Sequence, residues 1–107
     1  MFSKVFKNGK YAANDVLVVY ALRNYNRKAA PKLGISVSAK NGGAVQRNRA
    51  KRVIREAFRI LYKSLPPGYL FVIAGRKPCF DRSVKMGEVL KAAESAFSRL
   101  RLVRGRD

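Results

Sequence analysis

The residues best suited to chemistry lie close together. Arg47, Asn48, Arg49, Lys51, Arg52, Arg55 and Arg59 fall within thirteen consecutive positions, and six of these seven are cations. Guanidinium forks match phosphate oxygens bidentately, and a helix would hold them at fixed spacing along a nucleic-acid backbone. The pattern points to a phosphate-rich surface without saying which nucleic acid. A solvated basic face is the bland alternative. It is weakened by the lack of acidic partners elsewhere in the chain.

Bond-making chemistry finds no matching set, and no catalytic residue is assigned. The sequence has no His, which removes Ser-His and Cys-His nucleophile pairs and a His general base. One Cys, Cys79, forms no internal disulfide and belongs to no zinc-ligand set. Asp15, Glu56, Asp81, Glu88, Glu94 and Asp107 are dispersed, and no pair has the spacing of a two-metal nuclease. No protein metal site is assigned.

The basic segment must be positioned by elements that the pattern of apolar residues predicts. Ala44–Tyr62 is the strongest helix. At about 100° per residue, with Arg47 at zero, the apolar Ala50, Val53, Ile54, Ala57, Phe58 and Leu61 share one arc. Lys51, Arg55, Asn48, Arg59 and Arg52 fill another, from about 40° to 140°. Glu56, four residues after Arg52, is expected to pair with it.

Before this helix, Leu33–Ser38 alternates with period two, placing Leu33, Ile35 and Val37 inward and Ser36, Ser38 and then Lys40 on the other side. Asn41-Gly42-Gly43 ends that strand. Val16–Leu22 and Tyr69–Ala74 read as further strands, with a brief one over Tyr11–Asn14 and a polar connection over Arg23–Lys32. A short helix carries Phe2, Val5 and Phe6 up to Gly9, and a last one starts near Ser83 with Met86, Leu90, Ala93, Phe97 and Leu100 as its core stripe. The order αβββαβα makes an α+β sandwich of helices on a small sheet.

Composition agrees. The chain has 107 residues, and 24 Lys+Arg against 6 Asp+Glu leave a formal charge of +18. That length suits one compact domain, residues 1–107. With 48% apolar residues it is no disordered basic tail, and its self-repelling charge calls for a polyanionic partner. The longest apolar runs fall far short of the roughly 18 residues that span a bilayer. The first residues hold no signal-type segment. A cytoplasmic, nucleic-acid-binding domain without a membrane partner is expected.

Four linked motifs make the reading specific. Arg47-Asn48-Arg49-Ala50-Lys51-Arg52-Val53-Ile54-Arg55-Glu56-Ala57-Phe58-Arg59 resembles the arginine-rich helix of the bacterial ribonuclease P protein family. Gly34-Ile35-Ser36-Val37-Ser38, Lys40, Gly42 and Ala44-Val45 resemble its strand and loop leading into that helix. Phe2, Val5, Phe6 and Gly9 match its first-helix pattern, and Val72-Ile73-Ala74 with Arg76 and Pro78 resembles its late strand and turn.

The resemblance implies a ribosomal protein S5 domain 2-like fold with a left-handed βαβ crossover, a hand that most such units avoid. It implies the protein subunit of a ribonucleoprotein that removes the 5′ leader from precursor tRNA, one protein to one ribonuclease P RNA. The RNA, with bound Mg2+, performs the hydrolysis. Arg47, Asn48, Arg49, Lys51, Arg52, Arg55 and Arg59 would then face the RNA. Phe2, Phe6, Val18, Tyr20, Ser36, Ser38 and Lys40 would line a cleft for the single-stranded leader, with aromatic rings stacking bases and hydroxyls and a cation meeting phosphates.

Departures from the pattern are local. Family members commonly carry a basic stretch before the first helix, whereas this sequence starts almost at Phe2. Gly43 stands where the family has a side chain that can cap, so a looser helix start is expected, and Ala39 replaces a frequent Lys. Two other classes share the size and charge. A structural rRNA-binding protein has no need of an open aromatic cleft. A nonspecific DNA-compacting protein would bind duplex DNA and folded RNA alike.

Overall fold

The computed structural model describes residues 9–100 except Tyr25, Arg27 and Arg82. The first helix, with Phe2 and Phe6, lies outside the described residues. Four strands form one mixed sheet: β1 (Lys10–Ala13), β2 (Leu17–Arg23), β3 (Lys32–Ser36) and β4 (Tyr69–Gly75), in the spatial order β1-β2-β4-β3. β1–β2 and β2–β4 are antiparallel, whereas β3 and β4 are parallel. Helix α1 (Ala44–Leu61) makes the β3–α1–β4 crossover, and α2 (Met86–Arg99) follows β4. The α+β class, and over the described residues the order βββαβα, are those the sequence predicts.

Period-two alternation sorts the sheet into two faces. Leu17, Val19 and Ala21 of β2 and Phe71 and Ile73 of β4 are buried on one of them, in the same core as the apolar stripes of α1 and α2. α1 lies over β3 and β4, and α2 over β1 and β2. Phe71 ties the layers: its ring meets Phe58 of α1 at 6.0 Å and Phe97 of α2 at 5.2 Å, both edge-on. Both helices therefore leave the opposite face of the sheet to other uses.

Turns explain the shifted boundaries. Asn14 Oδ1 accepts from the backbone N–H groups of Val16 and Leu17, so β1 stops at Ala13 and the hairpin turns there. Its Nδ2 also donates to Ala92 O, fastening the turn to α2. β3 ends at Ser36 because Ser38 starts a 3-10 turn over Ala39–Asn41. The last helix begins at Met86 and not near Ser83, whose N–H and hydroxyl both donate to Asp81 Oδ1 at 2.9 Å. That local pairing competes with helical geometry. Gly68, at φ 82°, provides the left-handed turn into β4.

Candidate nucleic-acid interface

α1 sorts as its periodicity demands. Ala50, Val53, Ile54, Ala57, Phe58 and Leu61 are buried, while Asn48, Lys51, Arg52, Arg55 and Arg59 are exposed. The remaining two members of the basic set leave this face. Arg49 projects about 200° from Arg47 around the axis and is half-buried, its Nη2 donating to Val84 O at 2.8 Å. Arg47 borders the apolar arc; its Nε is enclosed and meets no hydrogen-bond acceptor. Five residues share the outward arc, and two stand at its flanks.

The single carboxylate on this helix is also placed differently from expectation. Glu56 bonds Arg59 at i,i+3, through Nε and Nη2, and not Arg52. The hydrogen bond from Arg59 holds the Glu56 carboxyl below its ordinary pKa, and Glu56 raises that of Arg59. Arg59 thus has an internal counter-charge, and Lys51, Arg52 and Arg55 carry the outward charge of the face.

The helix start is not loose. Gly43 has no side chain to cap it, but Gln46 Oε1 accepts from Gly43 N–H at 2.9 Å. This is the reciprocal half of a capping box, and Arg47 N–H closes the first turn onto Gly43 O. At that end Val45, 80% exposed, forms a shallow hollow with Gln46, Arg49 and Arg52. Along the helix, Lys51 and Arg55 border a groove of about 450 Å³ with Leu33, Ile35 and Phe58.

The second surface is the face of the sheet that neither α1 nor α2 covers. Register aligns Tyr11 with Tyr20, Tyr20 with Val72, and Val72 with Gly34, one row across all four strands. The next row runs Ala13, Val18, Ala74, Ser36. Three of the sequence-predicted cleft residues, Val18, Tyr20 and Ser36, therefore lie together on one face. Val18 and Ser36 flank Ala74, two strand spacings or about 10 Å apart. Ser38 and Lys40 lie beyond the strand, exposed in the 3-10 turn, where Ser38 Oγ accepts from Lys40 N–H at 3.1 Å. Phe2 and Phe6 fall outside the described residues.

Tyr11, Val72 and Ala74 complete the rows and are absent from the sequence-derived set. Carrying the in–out alternation of β2 through the Asn14 turn would have found Tyr11. Val72, which is fully buried, and the half-buried Ala74 depend on which strand neighbours β2, which no local pattern encodes.

Reactive groups are not gathered here. Cys79 is buried, its Sγ–H directed at Val16 O, and burial pushes its thiol up to about 11. It stays protonated and serves packing. Among the described residues, no three of His, Cys, Asp or Glu come together as a metal cage. Also among them, no helix is long and apolar enough to cross a membrane.

Comparison with known proteins decides the family. The family model described as Ribonuclease P matches residues 1–101. The chain belongs to the ribonuclease P protein family. The ribonuclease P protein component of Clostridium beijerinckii is 45% identical over 87 residues, covering 77% of this chain and 70% of that protein. That of Bacillus cereus strain B4264 is 41% identical over 100 residues, covering 92% and 83%. Among solved structures, the Staphylococcus aureus RNase P protein superposes with a TM-score of 0.82 at 29% identity, covering 96% of this chain and 91% of that one. The Thermotoga maritima RNase P protein gives 0.77 at 32%, covering 88% and 86%.

Membership in the ribonuclease P family makes this chain a protein component of the tRNA 5′-maturation enzyme, associated with ribonuclease P RNA and precursor tRNA. It also decides against the ribosomal and DNA-compacting alternatives.

Proposed function

We propose that this ribonuclease P protein works as two surfaces on one scaffold. The outward face of α1, with Lys51, Arg52 and Arg55 at its centre and Asn48 and Arg59 beside them, holds phosphates of the ribonuclease P RNA. The face of the sheet that neither α1 nor α2 covers receives the unpaired 5′ leader of precursor tRNA. Tyr20 stacks a base, Val18 gives an apolar floor, and Ser36 meets the backbone, with Lys40 at the margin. Phe2 and Phe6 join this cleft by resemblance to the family. Arg47 and Arg49 flank the RNA face and shape it.

Hydrolysis belongs to the RNA. By resemblance to the family, Mg2+ would be held mainly by the RNA or at the RNA–protein assembly, where it would supply the Lewis acid for phosphodiester cleavage. The protein binds, orients and neutralises. One protein per RNA, acting in the cytoplasm, completes the proposal.

The observation that carries it is the alignment of Val18, Tyr20 and Ser36 on the one sheet face that neither α1 nor α2 covers. The test is reconstitution with the cognate RNA. The holoenzyme is expected to bind leader-bearing precursor more tightly than mature tRNA, and to cleave at Mg2+ concentrations where the RNA alone fails. Equal affinity for precursor and mature tRNA would overturn the leader assignment.

A further inference from the structure

We propose that Tyr11 provides a second base-stacking position, at the β1 edge of the leader-binding face, so that this chain grips the leader at one more nucleotide than Tyr20 alone allows. The inference rests on the reading of that face as the leader site.

Tyr11 sits on the edge strand directly opposite Tyr20 in the antiparallel β1–β2 pair, so both rings rise from the same face. Their centroids are 5.9 Å apart with the planes tilted by 36°. Tyr20 is half-buried, whereas Tyr11 is 66% exposed, by far the more open of the two rings. A cross-strand aromatic pair steadies the hairpin, but that role does not require the outer ring to stand in water. Its same-face neighbour on β1 is Ala13, too short to cover it. Among the described residues no strand lies beyond β1 to take the ring's outer side.

The spacing limits how a base can bind. Sandwiching a base between two rings needs about 7 Å, at roughly 3.5 Å per contact. The observed 5.9 Å is too close. A base therefore stacks on the outer surface of Tyr11 as an additional position, and not between the two rings. Stacking makes little demand on sequence, because every base has a π-face. The ligand is thus an unpaired nucleotide of any type. Such a contact lengthens the recognised segment without adding base specificity.

The test uses the reconstituted holoenzyme and precursor tRNAs carrying a single abasic nucleotide at each leader position in turn, with mature tRNA as reference. With the natural protein, a Tyr20-dependent and a Tyr11-dependent leader position are expected to be sensitive, besides those that Phe2 and Phe6 contact. Tyr20→Leu should make the first silent. Tyr11→Leu should make the second silent, with a loss of about 5-fold in affinity for the intact precursor. Tyr11→Thr, which keeps a strand-favouring residue, should give the same profile, and thermal unfolding of both variants controls for damage to the hairpin. A Tyr11→Leu profile that superimposes on the natural one at every position overturns the inference while leaving the leader site intact. If the Tyr20→Leu profile superimposes as well, the leader site itself is wrong.

Discussion

The basic face of α1 and the sheet face left open by α1 and α2 are built on different principles. The first is made by a single helix, whose side chains keep their relative positions at about 100° per residue regardless of the rest of the fold. The second draws Tyr11, Val18, Tyr20, Gly34, Ser36, Val72 and Ala74 from four strands, and exists only when their register is right. A register slip of one residue would turn each of them to the other side. The faces also differ in force. Cations attract a polyanion from a distance and are screened by salt, whereas ring–base contacts act only at van der Waals range. The protein thus separates attraction from discrimination.

The largest effect should come from reversing charge on the helix. Arg52→Glu with Arg55→Glu removes two charge-assisted phosphate contacts of about 1.5 kcal/mol each, so affinity for the RNA should fall about 100-fold at low salt. The slope of log affinity against log salt should also shrink by about 1.4–1.8, because each lost contact accounts for about 0.7–0.9. Both residues are exposed, so thermal stability should hold. A filter-binding titration over salt reads the slope; an unchanged slope would break the assignment of this face.

Next in size is Tyr20→Leu, a loss of about 10-fold in precursor affinity with mature tRNA little affected, since one stacked base is worth about 1–3 kcal/mol. The comparison sharpens if this loss stays constant across the same salt series. A loss that disappears at high salt would mean that Tyr20 acts through the charged surface.

How far each face was legible in the sequence follows from its construction. The apolar and basic arcs of α1 can be read from Ala44 to Tyr62 alone, and the helix ends one residue earlier, at Leu61. Single-helix geometry cannot say what meets its flanks, and there the reading was incomplete. Arg49 turns to Val84 O, 35 positions along the chain, and Arg59 captures the carboxylate expected for Arg52. On the sheet, alternation placed Ser36 on one side of β3, whereas Val18 and Tyr20 of β2 joined the cleft set through the family resemblance. That all three share one face depends on β4 entering between the two strands, a long-range event. Ser38 departs because its hydroxyl is taken by the Lys40 N–H, ending the alternation.

Arg49 tests where the basic face stops. Its hydrogen bond holds the segment before α2 against α1, so Arg49→Ala should lower stability by about 1 kcal/mol, measured by urea unfolding. RNA affinity should fall less than for Arg52→Ala. The opposite ranking, a large affinity loss with no change in the unfolding midpoint, would move Arg49 onto the RNA face and make the helix basic around more of its circumference.

The smallest expected effect is a gain. Glu56 engages Arg59 at the end of the RNA-facing arc, so Glu56→Gln should free that guanidinium and remove one repulsive charge. About a 2-fold rise in RNA affinity is expected, because exposed ion pairs are weak. The sign of the pH dependence follows from the lowered pKa of Glu56. A carboxylate held below its unfolded value stabilises the fold above that unfolded value, and the contribution fades as pH falls through the lower, folded one. At neutral pH the pair is intact, so natural protein and variant should differ there and converge only in acid, once Glu56 is protonated. An RNA affinity unaffected by Glu56→Gln at neutral pH and low salt would show that Arg59 lies outside the contact, and would confine the electrostatic surface to Lys51, Arg52 and Arg55.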